Sequence, residues 1–327
     1  MKYLVLSLVV VFSLLACSET FNLIAPKEEI PIVNGFLSAT DTAQYIKVQR
    51  AFRDQDVPAV ELAQIPDSLY YDNATVTITN EADGTVYTLT RVNGNDEGFV
   101  KEEGAFADDP NYLYKIMSAE MNLIPGNQYT LEVNTGEQGM AVASSTITLG
   151  EIPRLTTPRQ ELDYAFSTEA PSNMAWREVD DIVLYDVNMI LNILERDATD
   201  PEAEFIPRSL RWNVGRNIED ERLQVSGTEF FGLFAANLEE NPDIIRRFVN
   251  FDTELVGGGQ ELADFINVTE ANTGITSSGE TPIFTNIENG VGFFSTRNTL
   301  LETGIIVTEN TLDSLAEGSL TRLLNFQ

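Results

Sequence analysis

Thr75-Val76-Thr77-Ile78-Thr79 alternates polar and apolar side chains at every step. Successive side chains of a strand point to opposite faces, so such a segment buries one face and wets the other. The same alternation returns in Tyr129-Thr130-Leu131-Glu132-Val133. Around these lie Ile30 to Leu37, Tyr45 to Arg50, Thr85 to Arg91, Tyr112 to Ser118 and Met140 to Leu149. Each is short, rich in valine, isoleucine, threonine or tyrosine, and bounded by turn residues. This rhythm across residues 30–152 predicts two packed antiparallel sheets, an immunoglobulin-like β-sandwich. Asp83-Gly84 supplies a hairpin turn within Glu81 to Gly84, and Pro125-Gly126-Asn127 marks another. Residues Ala59 to Leu69 interrupt the rhythm as a short helix or a long loop.

Around Ile152 to Pro158 two prolines break the alternation, which places a boundary there. Residues 153–327 read as a β-rich α+β domain with a few short helices. Ile182 to Leu194, Ser209 to Val214, Leu223 to Ser226 and Arg247 to Val256 have strand character. Phe230, Leu233, Phe234 and Leu238 recur at helical spacing after Thr228-Glu229, and Asn241-Pro242 ends that helix. Gly257-Gly258-Gly259 turns the chain into a second helix, Gln260 to Val268, with Leu262, Phe265 and Ile266 on one face. Three glycines before a helix suit an anion-binding loop, but the spacing and lysine of a phosphate loop are missing, so they read as a turn.

The chain's single cysteine, Cys17, follows an apolar run, Leu4 to Leu15, with Lys2 ahead of it. About a dozen apolar residues match a signal peptide and fall short of the roughly 20 that span a bilayer. Leu14-Leu15-Ala16-Cys17 resembles a bacterial lipobox. The expectation is a signal peptide over residues 1–16, lipidation of Cys17, and a polar tether over residues 17–29. Two or three acyl chains on that thiol anchor a protein firmly in a membrane. Ser18-Glu19 lacks the aspartate that retains enterobacterial lipoproteins at the inner membrane, which favours the outer membrane and leaves the leaflet open. With Cys17 lipidated and no histidine in the chain, thiol catalysis, cysteine metal sites and the usual hydrolase triad are excluded.

Fifty-one acidic residues against 20 basic ones give a net charge of −31, which argues against nucleic acid and anionic lipid as partners. The acidity is spread along the chain and reads as a hydrated surface. Asp54-Gln55-Asp56, Asp108-Asp109 and Asp197 to Glu204 are acidic enough to attract calcium. Asn93-Gly94-Asn95-Asp96-Glu97-Gly98 approaches a calcium loop but has Gly104 where the bidentate carboxylate belongs. No metal or cofactor is expected.

Val33 to Leu37, Tyr45 to Phe52, Val225 to Phe231 and, most specifically, Phe284 to Arg297 resemble blocks of a family of Bacteroidetes outer-membrane lipoproteins that carry a domain of unknown function. The resemblance implies a cell-envelope lipoprotein working beside a TonB-dependent uptake system and supplies no catalytic residues. Within its last block, Asn289-Gly290 suits a type I′ turn, Gly292 allows close backbone approach, and Arg297 is available to a carboxylate. Asn286, Asn289 and Arg297 form the candidate binding loop, with a turn and buried strand as the structural reading of the same residues. The expected function is non-enzymatic binding of an outer-membrane protein partner or a small ligand, held at the membrane by the N-terminal lipid. The alternative is a glycosidase-type hydrolase using two carboxyl groups about 5 to 9.5 Å apart, a chemistry that needs no histidine.

Overall fold

The computed structural model describes residues 30–51, 57–138, 140–200, 202–272 and 283–327. Cys17, the signal segment, the tether and the acidic trio at 54–56 lie outside the described residues.

In the N-terminal half the alternating segments become β1 (Ile30–Leu37), β2 (Ala43–Ala51), β3 (Thr75–Asn80), β4 (Thr85–Thr88), β5 (Thr90–Asn93), β6 (Tyr112–Met117), β7 (Gln128–Asn134) and β8 (Ala143–Thr148). Two short helices, α1 (Ala59–Ala63) and α2 (Pro66–Leu69), fill the interruption. The order β4-β3-β7-β8 makes one layer, and β1-β2-β6-β5 belongs to the facing one. Between them Val33, Ile46, Val76, Ile78, Leu131 and Val133 are buried, as their period of two requires, in one mainly aliphatic core that also takes in Tyr71, Tyr114 and Tyr129. The sequence suggests one strand over Thr85 to Arg91; the structure has two. At the buried Leu89 the chain leaves the four-stranded layer and enters the other, because both layers draw on this segment to close the core.

The C-terminal half contains β9 (Arg154–Thr157), β10 (Ser172–Arg177), β11 (Leu184–Asp197), β12 (Ile206–Ile218), β13 (Arg222–Val225), α3 (Gly227–Asn237), β14 (Ile244–Gly258), α4 (Gln260–Asn272), β15 (Val291–Ile305) and α5 (Glu309–Glu317). Along β11, Val187, Met189, Leu191 and Ile193 are buried while Asn188 and Asn192 face outward. Ser226 caps α3 by accepting the Glu229 amide at 3.3 Å. Phe230, Phe231 and Phe234 then point inward, and Phe230 stacks on Phe166 with centroids 3.8 Å apart. The result is an aromatic core built from helix, long strands and the C-terminal segment. The triple glycine does not turn the chain as a unit: Gly257 and Gly258 remain in β14, paired with Tyr185 and Leu184, and the turn begins at Gly259.

β15 joins the halves. Its first part runs parallel to β1, from Ile32 opposite Val291 to Leu37 opposite Thr296. Its second part runs antiparallel to β14, from Gly258 opposite Arg297 to Phe251 opposite Ile305. A single eight-stranded sheet therefore runs β12-β11-β14-β15-β1-β2-β6-β5. Phe294 enters the aliphatic core and Ile305 the aromatic one. Gly292 makes the approach possible: it holds φ at +110°, and a Cβ there would lie 2.0 Å from the Val33 carbonyl oxygen.

The 149–151 crossover, next to the boundary suggested by the sequence, is stitched to this strand. Buried Asn298 donates to the carbonyls of Gly150 at 2.6 Å and Glu151 at 3.2 Å and accepts the Ala39 amide at 2.7 Å. Buried Thr296 accepts the Gly150 amide at 3.0 Å.

Candidate functional site

Strand alternation that buries one face of the eight-stranded sheet leaves the other to be covered by α4 and loops. α4 crosses this outer face, tied down where the Ser295 hydroxyl donates to Glu261 at 2.9 Å and where Phe265 packs on Phe293 at 4.6 Å. Leu262, Phe265 and Ile266 thus use the apolar face that their spacing suggests. The cover is incomplete, and two grooves of about 670 Å³ each remain open on the face. Both volumes lie in the range of small-ligand sites.

The first groove lies over β11, β12, β14 and β15, with Leu262 and Ile266 of α4 along its edge. Its floor is a polar ladder. Glu254 pairs with Arg211 and accepts from Asn188 at 2.9 Å, and Asn188 accepts from Asn213 at 3.0 Å. Asp186 accepts the Asn217 amide at 2.9 Å.

The second groove lies over β1 and β2, and its far wall is the loop that resembles a calcium site in sequence. This loop is folded by its own amides. The Asn95 side-chain oxygen accepts the Lys101 amide at 3.1 Å, the Asn111 side chain donates to the Phe99 carbonyl at 2.9 Å, and Gly98 takes φ of +89°. Asn93 and Asn95 both donate to Asp109. Folded this way, the loop holds Glu97 and Phe99 at the groove. Glu97 accepts from Lys115 and from the Tyr45 hydroxyl, at 3.0 Å for the latter, and Phe99 meets the Tyr45 ring edge-on at 4.8 Å. The Lys115 hydrogen bond and then the Tyr45 one hold the Glu97 carboxyl below the usual carboxylate range. Phe36 and Phe293, 5.2 Å apart, line the side nearest β15.

Arg297 stands between the two grooves and lines both. It donates to Asp41 at 3.0 Å and lies 5.3 Å above the Phe36 ring. Its partner Asp41 and the neighbouring Thr40 also line both grooves. Asn286 and Asn289 lie elsewhere. Asn286 bonds both ways with Phe294, donating to its carbonyl at 2.7 Å and accepting its amide at 2.9 Å. Asn289 donates to the Val142 carbonyl at 3.0 Å. Neither lines a groove, so of the three loop residues only Arg297 reaches one. The expected type I′ turn is not formed: Asn289 has φ of +55°, but Gly290 is not among the positive-φ glycines. Gly290 is instead confined by Pro31 and Ile287.

Lys47, Tyr45 and Asp41 are groove residues to which the sequence assigned no site role, although Tyr45 and Lys47 fall in the Tyr45 to Phe52 block. Their one signal was position: Tyr45 and Lys47 occupy the wet face of an alternating strand, where exposure and a groove give the same pattern.

Comparison with curated proteins returns no match. Among solved structures, the chain is similar to the chicken CNTN1 FN1–FN3 domains at 10% identity and a TM-score of 0.22, covering 69% of this chain and 62% of that one. The DIP-gamma IG1+IG2 structure aligns at 10% identity and a TM-score of 0.19, covering 86% of this chain and 98% of that one. The domain of unknown function DUF4249 matches residues 19–205, more than half of the sequence, and the chain belongs to that family.

Proposed function

We propose that this protein is a lipid-anchored component of the bacterial outer membrane that binds a ligand without chemically altering it, as an accessory to a TonB-dependent uptake system. The observation that carries the binding reading is the pair of grooves sharing Arg297, Asp41 and Thr40 on one sheet face. The lipobox at Leu14 to Cys17 and the family resemblance support the anchor and its setting.

The carboxylates lining the grooves are engaged by fixed partners. Glu254 meets Arg211, Asp41 meets Arg297, Glu97 meets Lys115, and Asp186 accepts a backbone amide. Glycoside hydrolysis needs one carboxyl group protonated and raised in pKa, whereas Lys115 acts on Glu97 in the opposite direction. This favours binding over the hydrolase alternative.

The anchor is tested by feeding cells a palmitate analogue. The native protein should be labelled and sediment with membranes, whereas Cys17→Ser should be unlabelled and soluble. A Cys17→Ser variant that stays bound without label overturns the anchor. The accessory role is tested with Arg297→Ala: uptake through the associated transporter should fall while the melting temperature changes little, and unchanged uptake counts against it.

A further inference from the structure

The described residues contain three lysines: Lys47 lines the second groove, and Lys101 and Lys115 stand next to it without lining it. Lys47 lines it from β2, opposite Asn34 of β1 in the strand register. Lys115 on β6 holds Glu97, which lines the opposite wall. Lys101, on the loop behind that wall, lies close enough to Lys47 to oppose its charge. In a chain of net charge −31, the lysines of the described residues are thus confined to the neighbourhood of one cavity.

The charges there do not cancel. Lys115 is matched by Glu97, Arg297 by Asp41, and Lys101 donates to the Ala107 carbonyl beside the Asp108 carboxylate, but Lys47 has no hydrogen-bond or ion-pair partner among the described residues. Burial, and secondarily the Lys101 ammonium, holds the Lys47 pKa below the ordinary lysine range. The Nε of Arg297 at the same groove is likewise buried without an acceptor. A half-buried ammonium without a partner carries a desolvation cost that an anion bound beside it would offset. The surrounding walls are aromatic, with Phe36, Tyr45, Phe99 and Phe293 around the charge.

We propose, resting on the binding reading above, that this second groove recognises a small organic monoanion, a carboxylate on an aromatic or apolar body. Lys47 is the partner of the carboxylate, and the four rings receive the body. One uncompensated ammonium matches one negative charge, and a polyanion would bring excess charge against Asp41 and Glu97.

The test is calorimetric titration of the detergent-solubilised mature protein with 4-phenylbutyrate, its uncharged amide, and phenyl phosphate. The acid should bind at least tenfold more tightly than the amide, and phenyl phosphate more weakly than the acid. Lys47→Gln should bring the acid-to-amide ratio close to one while leaving amide binding and fold intact. Lys47→Arg should restore most of the ratio. Because the native lysine is an unpaired and partly desolvated charge, Lys47→Gln should also leave the melting temperature unchanged or raise it, an outcome that a structural lysine would not give. Equal affinity for acid and amide, or a ratio that survives Lys47→Gln, overturns the anion site and leaves the binding reading standing. Tighter binding of phenyl phosphate overturns the choice of a monoanion. Failure of all three probes to bind overturns the anion site, and the binding reading falls with it only if Arg297→Ala also leaves uptake unchanged.

Discussion

The two halves of the molecule solve the same problem with different materials. The N-terminal half closes two layers over a mainly aliphatic core, where Val33, Ile46, Val76 and Ile78 interlock across a sheet-to-sheet gap and a few tyrosines fill its margins. The C-terminal half spans long strands and short helices with rings: Phe166, Phe230, Phe234, Phe251 and Phe326 touch one another in edge-on or stacked pairs. Small β-branched side chains suit the regular spacing of two facing sheets. Rings suit the wider and less regular space under a helix, because each buries about 150–250 Å². The difference teaches where each half is vulnerable: the sandwich spreads its stability over many equivalent contacts, and the other half concentrates it on a few rings.

The sharpest way to break this contrast is to truncate one ring. Phe230→Ala should cost about 4–5 kcal/mol, whereas the like truncation Ile78→Ala in the sandwich should cost about 2–3 kcal/mol, measured by urea titration. Equal costs would refute the idea of concentrated against distributed packing.

The seam should give the next effect. Asn298→Ala removes two donated hydrogen bonds and one accepted one at a buried site, and leaves the Gly150 carbonyl and the Ala39 amide without this partner. A loss of about 2–3 kcal/mol is expected, with uncoupling of the halves. Trp176 and Trp212, the only tryptophans, both lie in the C-terminal half, so tryptophan fluorescence reports that half selectively. In the native protein the fluorescence and far-ultraviolet circular dichroism transitions should coincide, and in Asn298→Ala they should separate. Coincidence in both would mean that Asn298 is not what couples the cores.

The smallest effect concerns the loop over the second groove. Glu97 has a depressed pKa in the folded protein, so its contribution is present above the unfolded carboxylate value and is lost as pH falls through the lower folded value. The Phe99 amide, bonded to the Gly94 carbonyl at 2.8 Å, should lose hydrogen-exchange protection in acid, and Glu97→Gln should flatten that dependence. An unchanged pH profile in the variant would detach the loop from the Glu97–Lys115 pair.

Legibility from sequence followed the range of the interaction. The strands of the sandwich, the helical spacing from Phe230 to Leu238 and the apolar face of α4 were readable because periodicity depends on residues a few positions apart, whereas Ser226, read as the end of a strand, is the cap of that helix. The break at Leu89 was not, since it depends on which layer each end of the segment joins. The amides of Asn286 were equally opaque: the residue sits in a conspicuous block, but its partner is the Phe294 backbone, brought back by the turn. Of the candidate site, Arg297 was readable as a cation seeking a carboxylate. Asp41 as that carboxylate, and Lys47 as a charge without one, emerged only when β1, β2 and β15 were side by side.

By itself the sequence determined the β-rich class of the fold, the alternation that divides core from surface, the acidity of that surface and the absence of histidine chemistry. Tertiary structure alone decided that β15 would pair with β1, that one sheet would run through both halves, and that two grooves would open on its outer face. The physical reason is that alternation specifies which face of a strand is buried but not which strand lies beside it. That choice depends on contacts such as Asn298 to Ala39, 259 positions apart in the chain, and on the missing side chain of Gly292, which lets two backbones meet.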